Sequence, residues 1–213
     1  MVFKKLIAGL LIAGVSITPV CAEWTQLQTQ ANQIAGIARM MNLGEDNPII
    51  KEASRIWWEE EKTVMQAKAE ADAEFLQSHY TDAVMMAKTM YCEGRGIESK
   101  RELSMICWTI LNRLDAGIYG GSIQEIITAK NQFAYRKSAP MINDFGIDLF
   151  ALAQDVLLRW QAEREGEENV GRTLPRGYCF YWGDGFHNYF RTSDKGKGYL
   201  WFEGYGNPYE QKA

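Results

Sequence analysis

The chain is poor in the residue types on which several function classes depend. Among 213 residues there are two histidines and four cysteines, and no His-Glu-x-x-His stretch occurs, so neither a zinc centre nor any other metal or cofactor is expected. Positive charge is also scarce. The 23 Lys and Arg are outnumbered by 27 Asp and Glu, for a net charge of −4, so the field that would hold a polyphosphate backbone is missing and nucleic acid is excluded as a partner. What is plentiful is core material: 46% of residues are hydrophobic and 12% aromatic, which excludes global disorder.

Lys4 and Lys5 precede an unbroken apolar run over residues 6–15, followed by Ser16, Pro19 and the triplet Val20-Cys21-Ala22. That layout reads as a secretory signal peptide, residues 1–22, cleaved after Ala22. The run is too short for a stable span, since about 20 apolar residues are needed and Pro19 would end the helix first. Lipid attachment at Cys21 is disfavoured by Pro19 and Val20, which stand where such signals carry small residues. Past the leader, Cys92, Cys107 and Cys179 are an odd set that cannot all pair within one chain, and their apolar neighbours suit small buried hydrophobes.

Residues 23–80 read as a helical hairpin. Leu27, Ala31, Ile34, Ala38 and Met41 keep one stripe on a first helix. Asn47-Pro48 caps a second helix, with Ile50, Ala53, Trp57, Val64, Ala67 and Ala71 on one face. The narrow, Ala-rich stripes predict a spacer that also allows self-association through these helices.

A different pattern occupies residues 81–213. Thr81 or Asp82 caps a helix with Val84, Ala87 and Tyr91 on one side, ended by the glycines of Glu93-Gly94-Arg95-Gly96. Ser99 and Glu102 form a capping box for a helix that is apolar nearly all round and should be buried, and Ser122 with Glu125 repeats the spacing. Another helix is predicted over residues 148–165. Three aromatic-rich strands follow, at residues 177–182, 187–191 and 199–202. A helical body with a small C-terminal antiparallel sheet makes this an α+β, mainly helical domain.

Glu93 has the best-specified setting of any candidate catalytic group. A carboxyl at the C-terminal end of a helix faces the negative end of its dipole, which favours the proton-carrying form and suits a general acid, although Arg95 opposes this. The glycines beside it let a sugar approach the backbone closely.

The blocks Tyr91-Cys92-Glu93-Gly94-Arg95-Gly96, Ile110-Leu111-Asn112-Arg113, Asn131-Gln132-Phe133 and Gly183-Asp184-Gly185-Phe186-His187-Asn188-Tyr189-Phe190 occur in that order. Together they resemble the cell wall hydrolase family typified by spore cortex-lytic enzymes. The resemblance implies a lysozyme-like catalytic domain acting on peptidoglycan glycan strands outside the cell, at the wall, with Glu93 matching the catalytic glutamate. Two positions depart from the family pattern. Gly94 replaces an alanine, and Ile97 replaces a second acid.

With one strong acid, a lytic transglycosylase is expected, cleaving between N-acetylmuramic acid and N-acetylglucosamine. Hydrolysis would need a second carboxylate, for which Asp115, Asp144 and Asp184 are candidates. Gln132, Tyr135, Tyr181, Trp182, His187 and Asn188 are the polar and aromatic types that bind sugars, and most lie within or beside the matched blocks. Asn112 and Arg113 belong to the buried helix and are expected to hold the fold. The alternatives are a Cys/His wall amidase or endopeptidase, using His187 with Cys179, and a non-catalytic wall-binding protein with an aromatic sugar platform.

Overall fold

A computed structural model describes residues 26–210, apart from 42, 43 and 45. The leader and Cys21 lie outside the described residues.

The N-terminal hairpin pairs α1 (Gln26–Met40) with α2 (Pro48–Ser78). Asn47 caps α2 by accepting the Ile49 N–H at 2.9 Å, ahead of Pro48, whose missing N–H costs nothing in a first turn. The seam is thin. Ala31, Ala35 and Ala53 form a small core flanked by Ile56 and Trp57. The stripe of α1 is rotated from its predicted position: Gln28, Ala31, Ala35 and Ala38 are buried, while Ile34 and Met41 are exposed. The Gln28 amide, 2.6 Å from Glu61, is part of the reason, because a buried side-chain amide must be paired. Beyond Ala53, α2 is largely solvated and laced with pairs such as Arg55 with Glu52 and Glu59.

α3 (Tyr80–Gly94) follows after the single residue His79, so it starts ahead of the Thr81 or Asp82 cap that the sequence predicts. His79 makes no side-chain cap. Its ring instead stacks on Phe75 with centroids 4.1 Å apart, and Phe75 packs against the main core. The junction between spacer and body is therefore apolar.

The body is built round α4 (Lys100–Ala116), in which every residue from 101 to 113 is buried. Around it pack α3, α5 (Ile123–Thr128) and α6 (Leu149–Arg164), with Met86, Met90, Leu103, Trp108, Leu111, Leu149, Val156 and Phe190 in one continuous core. The α3–α4 turn is tight. A Cβ at Gly94 would sit 2.9 Å from Leu103 Cδ2 and 3.2 Å from Ile97 Cδ1, so Ile97 is buried in space that a side chain at 94 would contest.

The sheet is smaller than predicted. β1 (Phe180–Gly183) and β2 (Asn188–Arg191) pair antiparallel, Phe180 opposite Arg191 and Gly183 opposite Asn188. The expected third strand at residues 199–202 reduces to one bridge, Tyr199 exchanging two 2.8 Å hydrogen bonds with Phe190. Asn112 secures this region to α4 by donating to the Pro175 and Tyr178 carbonyls, each at 2.9 Å, and its own oxygen accepts from Arg172. Among the described residues no helix is long and apolar enough to cross a membrane.

Candidate active site

Glu93 lies in the last turn of α3, half-buried, with its carboxyl turned toward the loop that links α5 to α6. Glu93 Oε1 accepts the backbone N–H of Ala134 from that loop. The loop is pinned at its far end as well: Asp144 N donates to the Arg95 carbonyl at 3.3 Å, and the buried Asn143 amide donates to the Ile97 carbonyl at 2.8 Å. The chain that crosses Glu93 is thus bonded to the turn that carries it. Asn131, at φ 62°, supplies the left-handed step by which the loop leaves α5.

Two further segments close on the same carboxyl. Tyr181, from β1, has its hydroxyl buried and without a hydrogen bond of ordinary geometry. Burial first, then the neighbouring Glu93 charge, holds this phenol well above its usual pKa, so it stays a proton carrier facing the acid. Arg113, from α4, donates to the Cys179 carbonyl and to Gln132 Oε1, both at 2.7 Å, and its guanidinium lies 4.5 Å over the Phe133 ring. Desolvation lowers the Arg113 pKa, and among the charges opposing that is Glu93. Arg113 therefore joins the Gln132 loop to the residue before β1, with Glu93 within range of its charge, in addition to the fold-holding part expected of it.

The other predicted binding residues fall into two groups. Gln132, Trp182 and His187 are exposed, with Trp182 stacked on Tyr189 at 4.6 Å between centroids. Tyr135 and Tyr181 are partly buried against the core. Asn188 is buried, and its amide donates to the Glu93 carbonyl at 3.4 Å, so it ties β2 to the end of α3.

The carboxylates proposed as a second acid are differently engaged. Asp184 Oδ1 accepts the N–H groups of Phe186 and His187, each at 2.8 Å, while Oδ2 accepts the Tyr189 hydroxyl at 3.0 Å. Those backbone donors hold the Asp184 carboxyl below its ordinary range. Asp115 accepts the Trp160 indole at 3.1 Å. Asp144 is exposed.

The acid that sequence reasoning missed is Glu102. Its carboxylate is buried and meets His187 Nδ1 at 3.0 Å and the Asn188 N–H at 2.6 Å. Its only sequence signal was the capping-box spacing, which points to a different partner.

Cys92, Cys107 and Cys179 are free, and the last two are buried. Desolvation raises the Cys179 thiol above its ordinary pKa. Among the described residues, no group of three or more His, Cys, Asp or Glu side chains could hold a metal ion. Comparison of the chain with protein-family descriptions, curated proteins and solved structures returns no match.

Proposed function

We propose that this chain is a secreted enzyme that cleaves the glycan strand of peptidoglycan between N-acetylmuramic acid and N-acetylglucosamine, with Glu93 as acid and base. The observation that carries the reading is convergence. Residues in or beside the four sequence blocks, spread over α3, α4, the α5–α6 loop and the sheet, gather at Glu93: Ala134 and Tyr181 face its carboxyl, Arg113 with Gln132 lies within reach of its charge, and Asn188 bonds its backbone carbonyl. Exposed Gln132, Trp182 and His187 offer hydrogen bonds and a ring face to a sugar chain.

In this reading Glu93 in its acid form protonates the glycosidic oxygen as the bond to the muramoyl C1 breaks. The resulting carboxylate, stabilised by the Ala134 N–H, then takes the proton of the muramoyl 6-hydroxyl as that oxygen closes on C1. The product is a 1,6-anhydro sugar. Intramolecular attack is favoured because the 6-hydroxyl is already tethered beside the reacting carbon. It also fits the commitments of the other acids: Asp184 and Asp115 are engaged in hydrogen bonds and Glu102 is buried, so a water-activating partner is left to the exposed Asp144.

A cysteine-nucleophile amidase gains less support, because burial raises the Cys179 thiol above its ordinary pKa and so disfavours the thiolate.

Digestion of purified peptidoglycan in heavy-oxygen water tests the reading. Unlabelled anhydromuramic ends are expected, and label at muramic C1 would mean hydrolysis. Glu93→Gln, isosteric but unable to pass a proton, should lower turnover by at least about 100-fold with the fold unchanged. A folded variant with near-normal activity would remove Glu93 from the mechanism.

A further inference from the structure

Glu102 stands three residues after the N-cap Ser99, the place from which a capping-box glutamate returns to the cap's own N–H. Half of that motif forms, with Ser99 Oγ accepting the Glu102 N–H at 3.3 Å. The carboxylate goes elsewhere. Its two oxygens are directed at consecutive residues of the β1–β2 turn, His187 and Asn188, across 85 and 86 positions of chain. The Glu102 side chain is 5% exposed, whereas that of His187 is 52% exposed.

Burying a carboxylate costs several kcal/mol before its partners compensate, and a neutral amide could hold the Asn188 N–H without that cost. The charge is useful only toward the imidazole. A carboxylate accepts and never donates, so His187 Nδ1 must carry the hydrogen, which leaves Nε2 on the exposed side of the ring. Nε2 has no hydrogen bond among the described residues, and the next residue, Asn188, is bonded to the backbone of Glu93. Asp184 fixes the same turn through the Phe186 and His187 N–H groups.

We propose that Glu102 is a positioning residue for His187, holding Nδ1 inward so that Nε2–H of the imidazolium donates to an oxygen of the bound glycan, an acetamido carbonyl or the lactyl carboxylate. The inference rests on the glycan-cleaving reading of Glu93. The charged groups facing His187 are Glu102 from α4 and Asp184 from the turn, with the Tyr189 hydroxyl of β2 bonded to Asp184. Both carboxylates favour the imidazolium, the Glu102 hydrogen bond most strongly, so the His187 pKa lies above its ordinary value. Substrate binding should therefore weaken as pH rises through the His187 pKa.

The chain has only two histidines, so nitrogen-15 NMR of the full chain labelled at histidine reads His187 directly, with His187→Gln giving the assignment. A neutral form carrying its proton on Nδ1 is expected, with a titration midpoint that falls by at least about half a unit in Glu102→Gln. On peptidoglycan, His187→Gln should raise KM severalfold with kcat little changed, and Glu102→Gln should move the alkaline limb of kcat/KM toward lower pH. A neutral wild-type imidazole protonated on Nε2 overturns the positioning role without needing any variant to fold. An unshifted midpoint in a folded Glu102→Gln protein overturns it as well. Unchanged KM in His187→Gln overturns the glycan contact. If the wild-type chain leaves peptidoglycan intact, the Glu93 reading and the glycan contact fail together, and the NMR result decides the positioning role separately.

Discussion

Tyr181 places a buried hydroxyl beside Glu93. A buried hydroxyl without a well-formed partner costs about 1–3 kcal/mol. What the oxygen faces is Glu93. Tyr181→Phe should therefore raise the unfolding temperature slightly while lowering kcat, the two effects being read by calorimetry and by turnover on the same sample. A drop in both would make the hydroxyl an ordinary structural group. At this scale the sequence was most informative where chemistry sits in contiguous residues. Glu93 was legible because its motif is local, as were the aromatic and amide types beside it. Glu102 was not, because its partners lie 85 and 86 residues away and the local pattern accounted for it by capping alone. Tyr181 was named from the sequence as a candidate, but whether its hydroxyl meets solvent or Glu93 depends on how β1 lies against α3, which no spacing encodes.

Between elements, the connection most dependent on one residue is that of α4 to the segment leading into β1. Asn112 donates to two carbonyls and accepts from Arg172, whose guanidinium is itself 4.1 Å over the Trp108 ring. Asn112→Ala would strand these groups together, and a destabilisation of roughly 3 kcal/mol is expected in denaturant unfolding, concentrated in earlier exchange of the 175–191 amides. A change under about 1 kcal/mol would mean that water replaces the amide. Helices were the readable elements because their caps are sequence-local: Asn47, Ser99, Ser122 and Asp148 all accept the hydrogen bonds expected of N-caps. The strands were not, since aromatic content identifies β-prone segments without saying which backbone groups find partners. Residues 199–202 have the composition of a strand but only the one bridge.

Over the molecule, the hairpin and the body share less than their contiguity implies. α2 has 31 residues, which at 1.5 Å each extends about 46 Å, and its last turns belong to the body through Phe75. A chain beginning at Ser78 loses that ring from the core and should melt roughly 3 °C below one beginning at Glu70, about 1 kcal/mol for a partly buried phenylalanine. Both should cleave soluble glycan fragments, because no residue of α1 or α2 is among those gathered round Glu93. A folded but inactive Glu70 chain would mean that the hairpin completes the site. The hairpin was legible as two helices, and so was the start of the α2 face at Ile50, Ala53 and Trp57, but the α1 face was legible only in part, because small side chains leave its rotation to the pairing of Gln28.

The packing at Gly94 also bears on how such a sequence can change. Ile97 is buried beside the glycine, and a Cβ at 94 would meet Ile97 as well as Leu103 and Ile106 from α4. A methyl added at 94 would press on Leu103 and Ile97 at the turn carrying Glu93, and trimming Ile97 would open a gap beside Gly94, so a change at either position is relayed to the other and to the backbone that sets Glu93.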